Sequence, residues 1–298
     1  MDKNVSIPTV DDMLLGMTTI IECRINTFLS QGSGFFFNLL EPHKEQEEEK
    51  GHWRKIEGIW LITNRHVALP KINDSEVYPN TFTFNIREIV NDNIEWLPIT
   101  LTQKELSQRI KLHQDNSVDV VAIKVDDLII DIISKDPQRK IIVPSFLTND
   151  NLPQNSPLQI EGTSDIIVAS YPRGFYDHVN KFPIIKSGII ASSWGVHFNG
   201  QPTFLIDAQL FPGSSGGLVI SKPTNIAIIN GNLATNSIKQ FVLLGVYSGE
   251  PITVSSPIQL DDLTITKRSS YGLGTVWYSS IITDIITLLS GKSSGRLL

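Results

Sequence analysis

The run Phe211–Ile220, FPGSSGGLVI, sets hydroxyls among glycines that carry no side chain to shield them. Glycine accepts positive φ, so such a backbone can turn sharply and bring N–H groups to one point. Nucleophilic serine chemistry needs an exposed Oγ and preorganised donors for the developing oxyanion. A plain Gly/Ser turn between two strands would fit the same residues, so a base has to be found. The histidines are His43, His52, His66, His113, His178 and His197. His43 and His52 fall in the charge-rich stretch Glu41–Lys55, a solvated hairpin tip that would hold a catalytic group poorly. His66 directly follows the apolar run in Gly58–Leu69, GIWLITNRHVAL, so a rigid element ends where the imidazole begins. A lone histidine at a strand end is also compatible with a structural role. The third group required is a carboxylate that orients the imidazole and stabilises its charged form. Asp119 opens the apolar run VVAIKV, whereas its competitor Asp115 precedes a polar Asn-Ser pair and reads as loop.

The elements that must position these groups are short. Thr18–Ile25, Gly34–Leu39, Ile59–Thr63, Thr81–Ile86, Trp96–Thr102 and Val118–Val125 are rich in β-branched and aromatic residues and bounded by Gly, Pro, Asn or Asp. So are Ile166–Tyr171, Ile184–Ala191, Thr203–Leu210, Leu218–Ile220 and Phe241–Tyr247. Many short strands without an alternating helical period predict an all-β sandwich or barrel. The polar, Pro-containing segment Ser145–Pro157 is the candidate linker. In Tyr278–Leu289, Ile281, Ile282, Ile285, Ile286 and Leu289 recur at helical spacing, which predicts a C-terminal helix packed on the second half.

Composition narrows the function. With 298 residues, 41% of them apolar and 19% charged, the chain is built for a folded core rather than disorder. Its formal charge of −6 argues against nucleic acid as a partner. No apolar run approaches the ~18–20 residues of a membrane span. The acidic start MDKNVSIPTVDDMLLGM is a poor secretory signal, and the single Cys23 allows no intrachain disulfide, which together predict a cytoplasmic location. No histidine, cysteine or carboxylate cluster has metal-ligand spacing, and neither a metal nor a cofactor is expected.

ITNRHV around His66, DVVAI from Asp119 and PGSSGG around Ser215 resemble the three catalytic motifs of trypsin-like (chymotrypsin-fold) serine peptidases, in that family's order of His, Asp and Ser. Four further stretches are similar to the bacterial high-temperature-requirement-like branch: GSGFF at Gly32–Phe36, ASYPRG at Ala169–Gly174, SGIIA at Ser187–Ala191 and IDAQLFPGSSGG at Ile206–Gly217. Departures are the absence of an Ile-Val-Gly-Gly type activation segment, of bracing cysteine pairs and of an appended peptide-binding module. Gln209 stands where trypsin carries a specificity-setting aspartate, and Asp207, eight before Ser215, is expected to be structural.

The resemblance implies two antiparallel six-stranded β-barrels, residues 15–145 carrying His66 and Asp119 and residues 155–275 carrying Ser215, followed by a helix over 277–290. It implies peptide-bond hydrolysis, with Ser215 as nucleophile, His66 as base, Asp119 as its orienter, and the N–H groups of Gly213 and Ser215 as the oxyanion hole. Gln209, Tyr247, Ser248, Gly249 and Glu250 are the expected substrate-binding residues, the last four running along a bound peptide as an added strand. The partner is then a protein or peptide substrate, with an activating protein as a second candidate. Two other readings stay open: a catalytically silent trypsin fold that binds a partner, and a phage- or virus-type maturation peptidase. The Gly-, Asn- and Pro-containing stretches Pro212–Ser215, Arg173–Asn180 and Trp194–Gln201 are where switching would act.

Overall fold

A computed structural model describes residues 8–42, 53–229, 231–254, 258–260, 263–265 and 268–287. The charge-rich tip with His43 and His52, and the end of the expected C-terminal helix beyond residue 287, lie outside the described residues. No helix among the described residues is long and apolar enough to cross a membrane.

In the first half, helix α1 (Val10–Met17) leads into β1 (Thr18–Ile25), β2 (Phe28–Leu40) and β3 (Ile56–Thr63). The one-turn helix α2 (Arg65–Ala68) follows, then β4 (Thr81–Val90) and β5 (Asn93–Thr102). Helix α3 (Gln103–Arg109), β6 (Ile110–Leu112), β7 (Val121–Lys124), α4 (Asp126–Lys135) and β8 (Lys140–Ile142) complete it. Asn91 and Asp92, at φ 49° and 63°, close the β4–β5 hairpin, both residues in the left-handed region as a type I′ turn requires.

The expected closed six-stranded barrel is not what forms here. Eight strands pair in an open sheet of order β8-β4-β1-β2-β3-β7-β6, with β5 paired to β4. The physical reason lies at Thr102. Its side chain and that of Glu105 form a capping box that starts α3 directly after β5, and the fully buried Leu106 then joins the core shared by Ile21, Phe36, Leu61, Phe84 and Ile123. The chain therefore leaves the sheet as a helix between β5 and β6, and these two strands do not pair.

The second half does close. Strands β9 (Asp165–Ser170), β10 (Ile184–Ile190), β11 (Thr203–Asp207) and β12 (Leu218–Ser221) precede a protruding ribbon of β13 (Thr224–Ile229) and β14 (Asn232–Gln240). Then come β15 (Leu243–Gly249), β16 (Leu273–Tyr278) and helix α5 (Ser280–Thr287). The ring runs β9-β10-β11-β16-β15-β12, every pairing antiparallel, around Val168, Phe204, Ile206, Val219, Leu244 and Val276.

A third core cluster lies between the halves. Met13, Leu14 and Met17 of α1, Phe35 and Phe37 of β2, Leu218 and Ile220 of β12, and Ile281, Ile282 and Ile285 of α5 pack together in it. Helix α5, expected on the second half alone, also contacts β6 and β7, so it occupies the seam. The candidate linker joins the same cluster through Leu147 and Leu152, and the Leu147 carbonyl accepts from the Asn38 N–H of β2 (2.9 Å). It is a packed crossing rather than a free tether.

Candidate active site

β3 is paired on both edges, with β2 and β7, so its end is rigid. At that end Asn64 stands at the N-cap position of α2 without a side-chain cap bond, and Val67 and Ala68 of α2 are buried in the first-half core. His66 is thereby fixed in backbone while its side chain stays 45% exposed. Beside it the Arg65 guanidinium donates to Glu76 Oε2 (2.9 Å) and Asn116 Oδ1 (3.2 Å), tying the short ribbon after α2 to the loop that carries the carboxylates.

Asp119 lies in that loop, between the buried Val118 and Val120 and two residues before β7. The sequence reading placed it at the strand boundary, and the strand begins two residues further on. The strand starts later because the Asp119 carbonyl is already taken, by Asn64 Nδ2 (2.7 Å) and Arg65 N–H (3.3 Å). Its carboxylate faces His66 twice: Oδ1 accepts from the His66 backbone N–H (3.0 Å) and Oδ2 meets the ring Nδ1 (2.7 Å). Asp115 instead accepts from the Ser117 N–H (2.8 Å), closing its own loop. Burial alone would raise the Asp119 pKa. The bonds and charge of His66, with the Ser248 hydroxyl, outweigh it and hold the carboxyl below the usual range.

Ser215 sits on the loop between β11 and β12. Phe211–Ser214 is a tight turn closed by Ser214 N–H to the Phe211 carbonyl (3.0 Å). Pro212 takes its second position and Gly213, at φ +91°, its third, the pattern of a type II turn. Gly216 is left-handed as well (φ +81°), and a Cβ there would sit 2.0 Å from the Ser33 carbonyl oxygen and 2.4 Å from Thr63 Oγ1. That close approach lets the loop press against β2 and β3. Among the described residues, neither the Gly213 N–H nor the Ser215 N–H donates to any protein acceptor.

The link between the serine and the His–Asp pair runs through Ser248. Its Oγ donates to Asp119 Oδ2 (2.6 Å), and its carbonyl accepts from Ser215 Oγ (2.8 Å). No hydrogen bond among the described residues joins Ser215 to the His66 ring. Catalytic hydrogen bonds are often long in uncomplexed enzymes. Sequence reasoning assigned Ser248 to substrate and missed its grip on Asp119. The cause is a bulge: Tyr247 pairs with Val276 and Gly249 with Thr275, leaving Ser248 as the extra residue, and bulges re-aim side chains.

Of the expected substrate-binding residues, Tyr247 has to be withdrawn. Its side chain is 2% exposed in the barrel core, and burial, with Glu250 adding to it, pushes its phenol pKa up. Its N–H donates to the Gly217 carbonyl (3.0 Å) and its carbonyl accepts from the Gly216 N–H (2.8 Å), so both backbone groups are engaged with the nucleophile loop. Ser248, Gly249 and Glu250 are half-buried, and Gln209 is exposed two residues beyond β11, as is Asp207 at that strand's end.

A family model described as a trypsin-like peptidase domain matches residues 32–226, a span that holds His66, Asp119 and Ser215. No curated protein matches the chain. Among solved structures it is similar to the inactive form of Rv3671c from M. tuberculosis, at 16% identity and a TM-score of 0.41 over 98% of this chain and 100% of that one. It is also similar to tobacco etch virus protease complexed with product (10% identity, TM-score 0.44, 98% of this chain and 85% of that one). A third is the protease Anisep from Arthrobacter nicotinovorans (13%, 0.44, 93% and 96%). Since the family model covers more than half of its residues, the chain belongs to the trypsin-like peptidase domain family.

Proposed function

We propose that the chain is a serine endopeptidase of the high-temperature-requirement-like branch, with residues 15–145 contributing His66 and Asp119 and residues 155–275 contributing Ser215. The observation that carries this reading is the double hold of Asp119 on His66, which fills Nδ1 and leaves Nε2 as the ring's free nitrogen. Ser215 Oγ attacks the scissile carbonyl carbon as its proton passes to Nε2, and Asp119 stabilises the resulting imidazolium. The tetrahedral oxyanion is held by the N–H groups of Gly213 and Ser215, each worth roughly 3–4 kcal/mol of transition-state stabilisation. The imidazolium then protonates the leaving amine as the C–N bond breaks, giving an acyl-Ser215 ester. Water, deprotonated by His66, releases the acid and returns the proton to Ser215. Ser248–Glu250 supply the edge along which the peptide lies. Cys23 is buried, and burial with the Glu22 charge pushes its thiol pKa up to about 12, so it takes no part in this chemistry.

A fluorophosphonate probe tests the reading: wild type is expected to be labelled at one site, and Ser215→Ala and His66→Ala not at all. The Ser215 hydroxyl resting on Ser248 rather than on His66 favours one competitor, a catalytically silent member that binds a peptide. Unlabelled wild type that still binds peptides would establish that competitor.

A further inference from the structure

The nucleophile loop is gripped by one residue outside it. Ser33, in the middle of β2 and 1% exposed, touches the loop at two carbonyls. Its backbone N–H donates to the Ser215 carbonyl (2.8 Å), and its Oγ donates to the Gly213 carbonyl (3.0 Å). The same Oγ accepts from the Tyr171 N–H (2.8 Å), so the hydroxyl's proton and a lone pair are both committed. The Ser33 carbonyl is in turn fixed by Thr63 Oγ1 (2.7 Å), at the end of the strand that leads to His66.

Building on the reading above, we infer that Ser33 is a positioning residue for the oxyanion donors. The peptide between Gly213 and Ser214 is held at its oxygen by Ser33 and at its N–H by Phe211; the peptide after Ser215 is held at its oxygen by the Ser33 N–H. These two peptides bracket the one that carries the Ser215 N–H, whose own oxygen, on Ser214, accepts from the Gly217 N–H (2.9 Å), and the first of them directly follows the Gly213 N–H; their orientation therefore bears on both N–H groups that have no protein acceptor among the described residues. Ser170 adds a parallel contact, donating from Oγ to the buried Ser214 Oγ (3.1 Å). Without the Ser33 hydroxyl, the Gly213 carbonyl and the Tyr171 N–H both lose a partner, and a turn that points the Gly213 carbonyl toward a new donor becomes competitive, while the Ser33 N–H still holds the Ser215 carbonyl.

The test uses the full chain and an unspecific activated ester, p-nitrophenyl acetate, with phenylboronic acid as a tetrahedral-adduct probe. Ser33→Ala is expected to lower kcat about ten- to a hundredfold, since a misaimed donor forfeits part of what a deleted one does. KM should stay within about twofold, and phenylboronic acid should bind more weakly by the same factor as kcat falls. The midpoint of the pH–rate profile should not move, because Ser33 touches neither His66 nor Asp119. Ser33→Cys, a weaker donor of similar size, should fall between, and it carries the test if Ser33→Ala does not fold. A kcat within twofold of wild type, a loss without matching weakening of the boronic acid, or a displaced midpoint overturns the inference. Wild type that fluorophosphonate fails to label overturns instead the reading on which it rests.

Discussion

Replacing Asp119 by asparagine removes a charge and almost no volume, and the geometry dictates how the amide must turn. The carboxylate receives the His66 backbone N–H at Oδ1 (3.0 Å) and meets both His66 Nδ1 (2.7 Å) and Ser248 Oγ (2.6 Å) at Oδ2. An amide offers one acceptor and one donor end. Facing its NH2 to the backbone N–H would set donor against donor, and a backbone amide cannot change its role. An imidazole can, by moving its proton, and the Ser248 hydroxyl can accept as readily as donate. The amide oxygen therefore goes to the backbone and the NH2 to Nδ1, which forces the ring proton onto Nε2. That tautomer cannot accept the Ser215 proton. Loss of the correct tautomer costs about 10⁴-fold in kcat, or ~5.5 kcal/mol of barrier. The assay is p-nitrophenyl acetate hydrolysis, together with nitrogen-15 NMR of the imidazole to read which nitrogen holds the proton. A loss smaller than about tenfold, or a proton still on Nδ1 in an inactive variant, would refute the reasoning.

Gly216→Ala should destabilise the chain by several kcal/mol, roughly 2–4, because a Cβ at φ +81° would lie 2.0 Å from the Ser33 oxygen; urea unfolding reads this, and labelling of Ser215 should be lost with it. Because Asp119 is depressed by its partners, it adds stability that is complete above the ordinary carboxylate range near pH 4 and fades as pH falls below it; urea midpoints between about pH 3 and 6 should fall less steeply in Asp119→Asn. Arg87, 2% exposed, donates to the carbonyls of Leu15, Thr18 and Lys181 and to the Tyr171 hydroxyl, with its guanidinium 4.4 Å over the Trp96 ring. Arg87→Ala should cost about 2–4 kcal/mol by urea unfolding, because it leaves buried carbonyls without their donor.

Strands were the legible part of this sequence, for a physical reason. β1 forms over Thr18–Ile25, the residues its β-branched run predicts, because four consecutive β-branched residues open it and all four are buried. Helices were less legible where they are brief and embedded. Thr102 and Glu105 spell a capping box, and Leu128, Ile129, Ile132 and Ile133 a helical face, yet both follow strand-like runs that absorb the eye. His66 and Asp119 were readable because each sits where an apolar run meets polar residues. Ser248 was not, since a bulge is a pairing event between Tyr247–Gly249 and β16 that no local pattern announces. Ser33 shows the same limit: its neighbours along the chain say strand, and only contacts 138 to 182 residues away give it further meaning.

The core that joins the two halves constrains how such a molecule can be governed. Met17, Phe35, Ile62, Leu218, Leu243 and Ile282 form one continuous apolar body across the seam, so parting the halves would bare all of it to water at once. A hinge opening like a jaw is therefore too costly to serve as a gate. Rearrangements that leave this core intact are confined to segments outside it, such as Arg173–Asn180. Because Trp60 and Trp277 lie in that shared body, one from each half, urea unfolding followed by tryptophan fluorescence is expected to show a single transition.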